Sequence, residues 1–153
     1  MLPVRFAERE AFVVSGLART YTQATMAAIP QQWHAAAPDL VRLAGDSGTV
    51  TYGVVYNLDN PDGTMDYLCG LELAPDVPLP PGWGTVRLDA ARYAVFTYTG
   101  PIAGIGGAWE TILNGGLGEA GVEHSGGPQF ERYDERYDAQ RGDGAMEIWI
   151  PVR

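Results

Sequence analysis

The positions of this chain best suited to chemistry are glutamates set among aromatic residues. Phe130-Glu131-Arg132-Tyr133 and Met146-Glu147-Ile148-Trp149-Ile150-Pro151-Val152 both read as β-strands, with aromatic and β-branched residues bounded by Gly, Pro and Asp. Alternate side chains of a strand point to opposite faces. Met146, Ile148 and Ile150 therefore share a face that reads as ordinary core, while Glu147 and Trp149 share the other. Glu131 and Tyr133 repeat the pattern one strand earlier. A carboxylate beside a large ring suits a flat, apolar, positively charged ligand, because rings attract a cation and supply apolar area while the carboxylate neutralises it. Glu147 with Trp149 is expected to lead and Glu131 with Tyr133 to support it, the two aromatics sharing a face with the two glutamates. The bland alternative is that both glutamates face solvent on an open sheet. If Glu147 instead pairs with an arginine such as Arg87 or Arg92, it becomes a structural ion pair.

Other reactive or ring-bearing residues complete the candidate set. Tyr67 is the next pocket aromatic. Cys69 sits among apolar neighbours and reads as a packed or pocket-lining thiol, since a nucleophile would need a base beside it. Trp109 is at helical spacing with Ile105 and Ile112, so packing of a helix on its sheet is its first expectation. Trp33 is similar. Trp83 lies between Gly82 and Gly84, where it is either a mobile lid or a surface anchor. His34 and His124 lack a second ligand at recognisable spacing, so no metal site is expected. The glycines from Gly100 to Gly107 do not make a dinucleotide fingerprint, because Trp109 stands where its last glycine belongs. No cofactor is expected. The acidic residues Glu131, Asp134, Glu135 and Asp138 alternate with Arg132 and Arg136, which reads as a solvated, self-paired segment or, alternatively, as part of a negative rim around a ligand groove.

The elements that must position these residues read as one unit occurring twice, strand–helix–strand–strand. In the first half, residues 11–17 are a strand, about 25–43 a helix carrying Ile29, Trp33, Ala36, Leu40 and Leu43, 49–56 a strand, and 67–73 its return across the Asp62-Gly63 turn. Pro30 fits the first helical turn, and Pro38 predicts a break or kink near the helix end. Pro75, Pro78, Pro80, Pro81, Gly82 and Gly84 form a linker. In the second half, residues 93–98 are a strand, about 102–117 a helix, and 130–133 and 146–152 a hairpin. The fold class is therefore α+β, with two pseudo-symmetric repeats, about 1–75 and 85–153, in a single domain. With helices covering one face of the sheets, the other faces would meet across a cleft.

The 153 residues are enough to bury a core. A formal net charge of −9, with no basic stripe, argues against direct nucleic-acid binding. The single cysteine excludes an internal disulfide and fits the cytoplasm. No apolar run approaches the ~18 residues of a membrane span. The first strand begins close to residue 1, so a one-piece activator with its own DNA-binding helices is not expected.

Three stretches carry a family resemblance. Gly126-Gly127-Pro128-Gln129-Phe130-Glu131-Arg132-Tyr133 followed by Met146-Glu147-Ile148-Trp149-Ile150-Pro151-Val152 resembles the end of a GyrI-like small-molecule-binding domain, the effector-binding domain of bacterial multidrug-sensing activators that also occurs alone. Residues 92–101, ending in Gly100-Pro101, and Asp66-Tyr67-Leu68-Cys69-Gly70-Leu71-Glu72-Leu73 resemble two of its other strands. The resemblance implies a curved antiparallel sheet with helices on the outside and a ligand groove between the repeats. It also implies a carboxylate at the groove floor, with Glu147 and Glu131 both at matching positions, and helix residues such as Trp33 at the rim. The ligand it implies is small, hydrophobic and cationic. Two other functions follow from the same resemblance: hydrolysis of cyclopropane-bearing genotoxins with a glutamate as general base, and binding of a protein such as a topoisomerase or a transcription factor. A monomer and a homodimer are both compatible.

Overall fold

Turn residues and β-branched runs divide the chain into strands that pair entirely antiparallel. The computed structural model describes residues 2–44 and 49–153. Its strands are β1 (Val4–Arg9), β2 (Phe12–Tyr21), β3 (Thr51–Tyr56), β4 (Met65–Leu71), β5 (Trp83–Leu88), β6 (Ala91–Pro101), β7 (Gln129–Tyr133), β8 (Tyr137–Asp138) and β9 (Asp143–Pro151). They form one sheet in the order β1-β6-β9-β7-β3-β4-β2-β5, with β8 paired to β9. Helix α1 (Ile29–Ala44) packs on β2 and β4, and helix α2 (Ile105–Thr111) on β6.

The sheet is strongly curved. β2 lies three strand positions from β7, which in a flat sheet would separate them by about 14 Å. Yet the rings of Phe12 and Phe130 meet at 5.6 Å. Phe12, Val14, Tyr52, Val54, Leu68, Leu88, Tyr93, Val95, Phe130 and Trp149 fill the concave face. Arg9, at the end of edge strand β1, reaches across the curve of the sheet to Tyr52 on β3 and Glu72 beyond β4. The concave face is thus a packed aromatic core, where an open cleft between bare sheet faces was expected. The gap between the two halves lies on the opposite, convex face, where α1 and α2 stand apart over β4 and β6.

Both helices depart from their sequence outlines for local reasons. α1 begins after a 3-10 turn at Met26–Ala28 and runs through Pro38 without ending. Pro38 is exposed, so the carbonyl that loses its helical donor can turn to water. Gln32 fixes the start of α1 on the sheet. Its amide donates to the carbonyls of Leu17 and Tyr67, each at 2.8 Å, and accepts from the Tyr21 hydroxyl at 2.7 Å. α2 is shorter than expected. Beyond Thr111 the chain widens through Ile112–Gly116, where Asn114 and Gly115 leave helical geometry, before a last turn α3 at Leu117–Glu119.

Candidate functional site

Cross-strand pairing sets Cys69, Gly53, Glu131 and Ile148 in one row across β4, β3, β7 and β9, all on the helix-bearing face. Glu131 stands in the gap between the helices and is 6% exposed. Three neutral donors hold its carboxylate. The hydroxyls of Tyr67 and Tyr133 donate to Oε1 at 2.7 and 2.8 Å, and the indole N–H of Trp109 donates to Oε2 at 2.8 Å. Trp33, from α1, donates its own indole N–H to the Tyr67 hydroxyl at 2.9 Å and packs edge-on to Tyr133. Tryptophans from two separate helices therefore close over one carboxylate, and both remain half-exposed.

No described cation pairs with Glu131. Burial pushes its carboxyl above the ordinary glutamate range, and the hydrogen bonds from Trp109, Tyr67 and Tyr133 only partly offset this. Burial and then the neighbouring Glu131 charge push the Tyr67 hydroxyl well above its usual range. The same two causes, in the same order, act on Tyr133. Both phenols therefore stay protonated and keep donating.

Glu147 lies on the other side of the sheet. The pair Arg132↔Glu147 sets it on the concave face with Trp149, opposite to Glu131. Arg5 reaches it at 3.0 Å, Arg136 at 3.2 Å and Arg132 at 3.6 Å, while Trp149 donates its indole N–H at 3.0 Å. Burial raises the Glu147 carboxyl, but Arg5, Trp149 and Arg136 outweigh it and hold the group below its usual range. Asp134 completes the network by accepting from Arg132 and Arg136. The expected single face carrying both glutamates does not form. Glu147 and Trp149 belong to an ion-paired core, with Arg5, Arg132 and Arg136 in place of Arg87 or Arg92.

The model of the GyrI-like small molecule binding domain matches residues 2–153. The chain belongs to this family. The GyrI-like chain is 31% identical over 150 residues to the transcriptional regulator BrlR of Pseudomonas aeruginosa, covering 97% of itself and 54% of BrlR, so it spans about half the length of that relative. Its fold is shared with a crystal structure described as a bacterial transcription regulation protein from Staphylococcus aureus MU50 (TM-score 0.75, 18% identity, 100% and 99% of the two chains covered). The same fold occurs in SAV2435 bound to tetraphenylphosphonium (TM-score 0.75, 18% identity, 99% and 94% covered).

The remaining candidates of this GyrI-like chain scatter. Cys69 shares the row of Glu131 but lies under α1, with its sulfur 3.8 Å from the Leu17 carbonyl oxygen and 3.9 Å from that of Gln32. Burial pushes its thiol up to about 12, which keeps it inert at neutral pH. Trp83 is the first residue of β5, paired to Leu17 and packed with the α1 cluster four strand positions from β7. That placement anchors Trp83 far from Glu131 and does not suit a lid over it. Among the described residues no three metal-ligating side chains converge. The open depressions beside Arg136 and Arg141, and beside Glu8 and Arg92, do not touch Glu131.

Gly53 is a site residue that sequence reasoning passed over. A methyl group there would overlap the Tyr67 hydroxyl and crowd Glu131 Oε1. The missing side chain is the space in which the Tyr67–Glu131 hydrogen bond forms. A lone glycine inside the run Tyr52-Gly53-Val54-Val55 was its available signal. Gly53→Ala is expected to cost about 1–3 kcal/mol of unfolding free energy, by overpacking and by leaving Glu131 short of a donor. Adding Tyr67→Phe, which removes the obstructing hydroxyl, should recover part of that loss. Urea unfolding of the two single variants and the double variant measures the coupling.

Proposed function

We propose that this GyrI-like chain binds lipophilic aromatic cations between α1 and α2. Glu131 supplies the counter-charge, and Trp33, Trp109, Tyr67 and Tyr133 supply the apolar walls. The observation that carries this reading is a buried carboxylate that, among the described residues, neutral donors alone satisfy. Such a group is costly unless an opposite charge joins it. Hydrogen bonds from two phenols and an indole orient it but leave its charge unbalanced. A cation sheathed in aromatic rings would balance that charge and bury its own surface against the tryptophans. To admit it, Trp33 and Trp109 must part, which the short, glycine-rich α2 segment permits. The tetraphenylphosphonium in the similarly folded SAV2435 supports this ligand class. The relation to BrlR supports a sensing role for the binding event.

Titration with tetraphenylphosphonium, followed by quenching of tryptophan fluorescence, tests the reading. Saturable binding in the micromolar range is expected, and its absence at millimolar ligand would sink the proposal. The pH dependence follows from the raised Glu131 carboxyl. The free protein holds a proton there to a higher pH than an ordinary glutamate, and a bound cation drives that proton off. Affinity should therefore rise by up to about tenfold per pH unit as pH approaches the shifted value from below, then level off. A flat profile from pH 4 to 8 would mean that Glu131 does not ionise on binding.

A second reading rests on the same raised carboxyl. Glu131 could act as a general base toward water against a bound electrophile, since Oε2 carries a single donor and a base with a raised pKa is better matched to neutral pH. Incubation with a cyclopropane-bearing genotoxin, assayed for ring-opened product, separates turnover from binding.

A further inference from the structure

The aromatic set around Glu131 does not stop at Tyr133. Trp33 packs on Tyr133 with ring centroids 5.4 Å apart, and Tyr133 packs on Tyr137 at 5.0 Å with a 58° tilt. Tyr137 is therefore one ring further out from the carboxylate and, unlike Tyr133, is half-exposed. Its backbone is firmly held. Tyr137 N–H donates to the Asp134 carbonyl, and the Arg136 carbonyl accepts from Ala145 on β9. Asp134 in turn accepts from the backbone N–H of Arg136 and from its guanidinium. Gly144, which Tyr137 faces across the β8–β9 pair, has no room for a Cβ because the Arg136 carbonyl and the Tyr137 backbone press against it. A rigid turn thus presents an aromatic ring at the mouth of the gap while its inner neighbour donates to Glu131. The Tyr137 hydroxyl is pushed up by burial and by the nearby charges of Asp138, Asp143 and Glu131, so it too stays neutral.

Resting on the cation-binding reading above, we infer that Tyr137 is a specificity-determining residue, the outer wall that favours multi-ring cations over compact ones. A compact cation that reaches Glu131 is already enclosed by Trp33, Trp109, Tyr67 and Tyr133 and gains nothing from a ring beyond Tyr133. A cation whose rings extend outward covers the Tyr137 ring as well, an aromatic contact that adds to the gain from the area it buries.

The experiment compares tetraphenylphosphonium with the one-ring cation benzyltrimethylammonium on wild type, Tyr137→Phe and Tyr137→Ala, by tryptophan quenching and by calorimetry in the millimolar range. Tyr137→Ala should weaken tetraphenylphosphonium about tenfold and change benzyltrimethylammonium less than about twofold. Tyr137→Phe, which keeps the ring, should match wild type for both. Equal weakening of both cations by Tyr137→Ala would show that Tyr137 only supports Tyr133 and would overturn the assignment, as would no weakening of either. Wild-type protein that binds neither cation overturns the cation-binding reading and this assignment with it. Wild-type binding with an unchanged ratio overturns the assignment alone.

Discussion

Replacing Glu131 with glutamine is expected to weaken tetraphenylphosphonium binding by at least about 100-fold, on the order of 3 kcal/mol. The size follows from the environment, since a cation that enters a buried gap leaves its water behind and finds its counter-charge in this one carboxylate. Glutamine keeps the shape and one acceptor oxygen. The hydroxyls of Tyr67 and Tyr133 can go on donating to that oxygen, because both now donate to the same Oε1. The new amide NH2 meets the Trp109 N–H, donor against donor, and one hydrogen bond is lost. Against that loss, the variant no longer ionises a buried group. The unliganded protein should therefore change in stability by less than about 1 kcal/mol at pH 7, with the fold intact. Calorimetric titration beside a thermal melt separates the two effects. A variant that still binds as wild type does would remove charge neutralisation from the mechanism and leave only aromatic packing.

The elements of this site were legible to different depths. Strand alternation correctly coupled Glu131 to Tyr133 and Glu147 to Trp149, because a period of two fixes relative faces within one strand. It could not say which pair faces the helices, since that depends on the register between strands. The pairing Glu131↔Ile148 sets Glu131 among the residues read as ordinary core, and burial on that face is what raises its carboxyl. Spacing placed Trp33 and Trp109 on the sheet-facing sides of two helices. Packing and ligand contact then looked like rival roles, whereas both indoles pack and also enter the hydrogen-bond network of Glu131. The curved antiparallel sheet with outer helices was reached through resemblance rather than periodicity. β1, β5 and β8 went unread because two are edge strands and the third has two residues, so none must carry the apolar pattern of a central strand.

The second large effect concerns the other glutamate and has the opposite character. Glu147→Gln is expected to lower unfolding free energy by about 2–3 kcal/mol at pH 7, in the range of a charged hydrogen bond lost from a buried acceptor. Arg5, Arg132 and Arg136 converge on Glu147, and only Arg132 and Arg136 keep a second acidic partner, Asp134. Because the site lies on the concave face, tetraphenylphosphonium affinity should stay within about twofold of wild type. The two carboxylates also predict opposite slopes of stability against pH. The folded-state value of Glu147 is depressed, so its contribution is complete above the unfolded value near 4.5 and is lost as pH falls through the folded value. That of Glu131 is raised, so its contribution is complete below the unfolded value and is lost as pH climbs through the folded one. The stability gap between wild type and Glu147→Gln should then close on acidification, while wild type should gain on Glu131→Gln over the same interval. Urea unfolding from pH 2 to 8 reads both trends. A gap for Glu147→Gln that persists below pH 3 would mean that packing of Trp149, rather than the charge, holds the concave core.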